Sequence, residues 1–158
     1  MPYIYADPLR CTGCEVCALV CSFRYFKVLN PKKARIRVVR KEPAIDLVIA
    51  CRNCDDAPCI NSCPRGAIKK TSKGIIVIDE KKCDGCGKCV EACPLDALYI
   101  PPGEKTPIKC IVCGACIEMC PVNCLKIAYG SEEALDKRVD YARRIMETIL
   151  MSRGYKAS

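Results

Sequence analysis

The chain has 158 residues, enough for one compact unit or two small half-domains around a shared core. Its 17 cysteines exceed a tenth of the residues, which excludes ordinary globular usage and leaves a disulfide scaffold or a metal protein. The formal net charge is +8, no run approaches the roughly 18 apolar residues of a membrane helix, and Met1-Pro2-Tyr3 leads into mixed polar sequence rather than a secretory leader. A cytoplasmic protein with reduced thiols is therefore expected, and the odd cysteine count makes disulfides the poorer reading.

Along the chain the first landmark is Cys11, Cys14, Cys17 and Cys21, followed by Ser22. Next comes the basic stretch Pro31 to Glu42, in which Arg35 and Arg37 alternate with Ile36 and Val38. That period of two reads as a strand with a solvated basic face, and no aromatic platform for nucleic acid accompanies it. The second group is Cys51, Cys54, Cys59 and Cys63, then Pro64. The segment from Cys63 to Asp79 reads as a hairpin turning near Ser72-Lys73-Gly74. The third group is Cys83, Cys86, Cys89 and Cys93, then Pro94; the fourth is Cys110, Cys113, Cys116 and Cys120, then Pro121.

Groups one, three and four share the pattern C-x2-C-x2-C-x3-C, and group two carries two extra residues between its second and third cysteines. Each unit is expected to run strand, cysteine loop, short helix, strand, with strands at "GIIVIDEKKC" and "TPIKC" leading into groups three and four. No unit has enough apolar residues to fold alone, so metal must organise much of the structure. Cys124 stands outside the groups, at the place of Ala67 and Ala97, and reads as a small buried residue. From Ser131 the cysteines stop. Leu135, Val139, Ala142, Met146 and Ile149 form the apolar stripe of a C-terminal amphipathic helix, either packed on its own core or docking another subunit.

The spacing selects the metal. Thiolates at i, i+3 and i+6 on a tight loop converge on three corners of one cubane, and the run closing in Cys-Pro is that of bacterial ferredoxins, whose fourth cysteine serves the neighbouring [4Fe–4S] cluster. Zinc needs four ligands as two separated pairs and gains nothing from a third cysteine three residues on. Sixteen grouped cysteines at four per cluster give four [4Fe–4S] clusters. Each oxidised site with its thiolates carries about −2, so four offset the formal charge. Arg10, Lys82, Lys88 and Lys109 then read as counter-charge, and Tyr99 and Tyr129 as part of an apolar shell. The absence of His, the abundance of Lys, Arg and Glu, and the lack of a nucleotide loop fit a thermophilic electron carrier without chemistry of its own.

On these motifs the chain, from Ile4 to Ala128, resembles the four-cluster ferredoxin subunits of multi-subunit oxidoreductases, such as the iron–sulfur subunit of dimethyl sulfoxide reductase. The resemblance implies an α+β fold of two fused bacterial-ferredoxin-like modules related by a pseudo-twofold and nested in sequence. Residues 1–50 and 100–130 would form the outer module, 51–99 the inner one and 131–158 the terminal helix and tail. Nesting implies one cluster on Cys11, Cys14, Cys17 and Cys120 and a second on Cys110, Cys113, Cys116 and Cys21. A third would sit on Cys51, Cys54, Cys59 and Cys93, and a fourth on Cys83, Cys86, Cys89 and Cys63; sequential pairing of groups is the alternative. The implied partners are a larger catalytic subunit, best a tungsten- or molybdenum-pterin aldehyde oxidoreductase type, and a soluble ferredoxin or flavin subunit as acceptor. A hydrogenase, formate dehydrogenase or carbon monoxide dehydrogenase partner and a free polyferredoxin are the other readings. Two departures stand out: group one lacks the Cys-Pro exit, and the chain lacks the long insertions and membrane anchor of many relatives.

Overall fold

The computed structural model describes residues 1–41 and 45–130; the expected C-terminal helix lies outside the described residues. In chain order the elements are β1 (Pro2–Ala6), α1 (Val16–Phe26), a 3-10 turn (Pro31–Lys33), β2 (Arg37–Lys41), β3 (Ile45–Ile49), α2 (Pro58–Asn61), β4 (Ile68–Lys70), β5 (Ile76–Ile78), α3 (Lys88–Glu91), α4 (Ala115–Glu118) and β6 (Leu125–Tyr129). The strands form three antiparallel pairs: β1 with β6, β2 with β3 and β4 with β5.

The β1–β6 ladder sets Ile4 against Ile127 and so brings the sequence before group one beside the sequence after group four. The hairpin expected after group two is present as β4 and β5, with Ile68 opposite Ile78 and a Gly74 N–H donating to the Thr71 carbonyl at 2.9 Å. The segments "CPLDALYI" and "TPIKC" fall short of the strands read from sequence. They make one antiparallel bridge between Tyr99 and Ile108. Pro101, Pro102 and Pro107 flank it, and a proline has no N–H to extend a ladder.

The helices follow the prolines. α2, α3 and α4 are four residues long and end two residues before Cys63, Cys93 and Cys120, each of which precedes a proline that disfavours helix at that position. Group one has Ser22 instead, so α1 runs through Cys21 to Phe26 and ends at Lys27 in a left-handed cap whose N–H donates to the Phe23 carbonyl. Ser22 is fully buried; its hydroxyl donates to the Leu19 carbonyl at 2.9 Å and accepts from the Asn30 amide at 3.2 Å.

The basic strand departs from its expected solvated face. β2 starts only at Arg37, and Arg35 lies outside it. The Arg35 guanidinium stacks on the Tyr25 ring at 4.0 Å and the Arg37 guanidinium lies over the Tyr99 ring at 5.0 Å, with Ile36 buried between them. Flat guanidinium groups cover aromatic faces well, which leaves both arginines half-buried rather than fully solvated.

Two apolar clusters fill the interior. Ile4, Ala18, Ile36 and Leu125 gather with thiols of groups one and four and with Cys51; Ile68, Ile76 and Leu98 gather with thiols of groups two and three.

Candidate metal centres

Each cysteine loop is bent by a left-handed residue just before its second cysteine: Gly13 (φ +62°), Asn53 (φ +52°), Gly85 (φ +75°) and Val112 (φ +58°). The reversal turns the first two thiols of a group to one side. Directly after the second thiol, Glu15, Gly87 and Gly114 are left-handed again and open the helices that carry Cys17, Cys89 and Cys116. In group two the inserted residues replace that second reversal, and Pro58 at the first helical position presents Cys59. After the Cys-Pro pairs, left-handed Gly66, Asp96 and Asn123 swing the chain back toward the thiols.

The result gathers thiols from different groups. Cys11, Cys14, Cys17 and Cys120 line one pocket with Val38, Val48 and Leu125, and Cys124, outside the groups, joins them there. Cys21, Cys110, Cys113 and Cys116 line a second with Ile4 and Ile36, and Cys63, Cys83, Cys86 and Cys89 a third with Ile68. Around Cys59 the neighbouring thiols are those of Cys51, Cys93 and Cys54. Cys14, Cys86 and Cys113 reach the surface; Cys17, Cys59, Cys89 and Cys116 are buried.

Burial decides the thiol chemistry. It pushes Cys17, Cys59 and Cys110 up to about 11 and Cys116 to about 12, with the charges of neighbouring thiols adding to the effect. Cys120 goes the other way: burial raises it, but the amides of Cys124, Val122 and Leu125 and the Cys124 thiol together pull it below the ordinary thiol range. Cys124 is pushed up to about 12 by burial and by its hydrogen bond with Cys120, Sγ to Sγ 3.5 Å, so the proton of that pair rests on Cys124. Backbone N–H groups also donate to sulfur: Arg35 to Cys21 at 3.2 Å, Ala67 to Cys63 at 3.3 Å, Val112 to Cys110 at 3.4 Å and Asn53 to Cys51 at 3.5 Å. Such bonds favour thiolate over thiol and set the potential of an iron–sulfur group.

This donor set suits a multi-atom cationic core. Four thiols facing one apolar pocket repel one another as thiolates, and only positive charge between them relieves that. A single zinc with bonds of about 2.3 Å would hold its sulfurs about 3.8 Å apart. Among the described residues no three side chains of His, Cys, Asp or Glu gather as a site for a single metal ion.

The comparisons agree with the geometry. The model of the 4Fe-4S dicluster domain matches residues 47–131, and that of a 4Fe-4S binding domain matches residues 8–24. The chain belongs to the 4Fe-4S dicluster domain family. Relatives of this chain include the polyferredoxin-like subunit of aliphatic sulfonate oxidoreductase from Pyrococcus furiosus, 39% identical over 65% of this chain and 60% of the relative. The thiosulfate reductase electron transfer subunit PhsB of Salmonella typhi is 32% identical over 61% of this chain and 54% of its own length. The electron transport protein HydN of Escherichia coli strain K12 is 37% identical over 62% and 59% respectively. The chain thus spans little more than half the length of these curated relatives. Among solved structures, a chain of the active site complex BamBC of benzoyl coenzyme A reductase with benzoyl-CoA aligns at a TM-score of 0.49 and 24% identity, covering 94% of this chain and 96% of that one.

Sequence reasoning missed some of the site. Of the four basic residues read as counter-charge, Arg10, Lys82 and Lys88 are exposed and Lys109 alone is buried. Its partner Asn53, also fully buried, carried no sequence signal beyond its place before Cys54. Tyr99 is half-buried, but Tyr129 is 76% exposed and forms no part of an apolar shell, because it ends β6 at the rim of the β1–β6 ladder. Tyr25, raised to about 12 by burial and by a hydrogen bond with Cys113, walls the second pocket instead.

Proposed function

We propose that this chain is an electron-transfer subunit holding four [4Fe–4S] clusters in two nested ferredoxin-like modules, residues 1–50 with 100–130 and residues 51–99. The ligand sets are Cys11, Cys14, Cys17 and Cys120; Cys110, Cys113, Cys116 and Cys21; Cys51, Cys54, Cys59 and Cys93; and Cys83, Cys86, Cys89 and Cys63. The observation that carries the reading is the set of thiol-lined pockets, each drawing three cysteines from one group and a fourth from another. Bound there, the clusters supply one-electron redox chemistry. The protein's own part is to exclude water with Ile4, Ile36, Ile68 and Leu125 and to donate backbone N–H groups to sulfur.

The subunit relays single electrons between a larger catalytic oxidoreductase subunit and a ferredoxin or flavin acceptor in a reducing compartment. The relatives named as subunits of sulfonate oxidoreductase and thiosulfate reductase support a catalytic partner, and a tungsten- or molybdenum-pterin enzyme is our choice of class. Among the described residues no helix is long and apolar enough to cross a membrane.

Anaerobic purification of the tagged chain from its own host, with metal analysis of what accompanies it, tests this. The expected result is about sixteen irons per chain, with tungsten or molybdenum in a larger co-purifying subunit. Nickel in that subunit would move the partner to a hydrogenase or carbon monoxide dehydrogenase. Full iron with no companion would leave a free carrier, and zinc in place of iron would end the reading.

A further inference from the structure

Lys109 is 2% exposed, and among the described residues no carboxylate pairs with it. Its ammonium donates to the Asn53 side-chain oxygen at 2.9 Å and to the Cys110 carbonyl at 2.9 Å. Asn53 is 0% exposed and fully engaged: its side-chain nitrogen donates to the Pro2 carbonyl at 2.8 Å, and its oxygen also accepts from the Ile76 amide at 3.0 Å. One left-handed residue thereby ties β1, β5 and the approach to group four together, and aims the lysine inward. An uncompensated buried ammonium is costly, so anionic charge must offset it from nearby. The groups beside it are thiol ligands of two different sets: its ammonium is held on the Cys110 carbonyl, and Asn53, which holds it, donates its own backbone N–H to the Cys51 sulfur at 3.5 Å.

We propose that Lys109, pinned by Asn53 at the junction of the two modules, is the counter-charge shared by the cluster sites of Cys110 and Cys51, and that it raises the reduction potentials of those two sites alone. The inference rests on the ligand assignment proposed above. Adding an electron makes a site more negative, and a fixed cation beside it favours that state. Placed at the junction, the cation keeps both inner sites reducible, so an electron leaving one is accepted by the other without a deep trap on either side.

The test is an EPR-monitored redox titration of the cluster-loaded full chain, wild type against Lys109→Met, Lys109→Arg and Asn53→Asp. In Lys109→Met the reduction equilibrium constants of two clusters should fall at least tenfold, about 59 mV for a one-electron couple, with the other two unmoved. Lys109→Arg keeps the charge, so it should leave the two potentials closer to wild type than Lys109→Met does. Asn53→Asp tolerates the left-handed backbone and leaves Lys109 in place but neutralises it, so it should lower the same two. Equal shifts at all four sites, or none, would overturn the proposal. So would loss of iron in both Lys109→Met and Asn53→Asp, which would make the pair a structural plug. Fewer than four reducible clusters in the wild type would defeat the ligand assignment itself, before any variant is compared.

Discussion

At the scale of single residues, the positions between the cysteines matter as much as the cysteines. Gly85 shows why. Its φ of +75° belongs to the region that side chains rarely adopt, and a Cβ added there would meet the Lys105 carbonyl oxygen at 2.5 Å. Backbone cannot step aside as a flexible side chain can. Gly85→Ala should therefore cost about 2 kcal/mol or more and empty the site of Cys83, Cys86 and Cys89, lowering iron per chain by about a quarter. Iron retained at the wild-type level would show that the loop tolerates the strain. Val112 holds the equivalent place in group four at φ +58°, an unusual conformation for a β-branched residue, with its N–H on the Cys110 sulfur. Glycines at two of the four equivalent places are readable in the sequence as left-handed turns; Asn53 and Val112 are legible only by analogy with them.

Among the elements, the contrast between α1 and the three short helices is the most informative. A proline after the fourth cysteine stops α2, α3 and α4, whereas Ser22 lets α1 continue and then anchors it through the Asn30 amide. Restoring the pattern of the other groups with Ser22→Pro would put a proline in the middle of an 11-residue helix. It would remove an intrahelical hydrogen bond and both hydroxyl bonds, at a cost of about 3 kcal/mol or more. The unfolding midpoint of the loaded protein should fall accordingly, and Ser22→Ala should fall by only about 1 kcal/mol. Thermal unfolding of the two variants checks the ranking; a stable Ser22→Pro would mean that α1 can end at Cys21 as its counterparts do. The basic strand belongs to the same scale. Its alternation of Arg and Ile was legible, but which face meets water was not, because the rings of Tyr25 and Tyr99 that cover Arg35 and Arg37 come from distant parts of the chain.

For the molecule as a whole, loading is coupled to protons. Cys17, Cys59 and Cys110, held near 11, and Cys116, near 12, are neutral thiols at neutral pH in the empty chain, while each ligand in a loaded site is a thiolate. Ligation therefore releases protons. Because burial has raised these groups, acid favours the protonated, iron-free form and alkali the loaded one. Iron loss to a chelator under anaerobic conditions should be markedly faster at about pH 6 than at about pH 8.5. Chelation rates independent of pH would mean that the thiols are already ionised when empty.

The sequence alone determined the chemistry. Repeated C-x2-C-x2-C-x3-C-P spacing is local, and local geometry suffices to turn three thiols of a group to one side and to end each helix at its proline. Hairpin β4–β5 was legible for the same reason, since its strands are neighbours in the chain. Tertiary structure decided what lies between distant segments. Only the β1–β6 ladder brings Cys120 to the pocket of group one, and only the fold seals Lys109 with Asn53 while leaving Arg10, Lys82 and Lys88 in water. Charge and composition mark all four as equivalent. Burial, which depends on every segment packed around a residue, separates them.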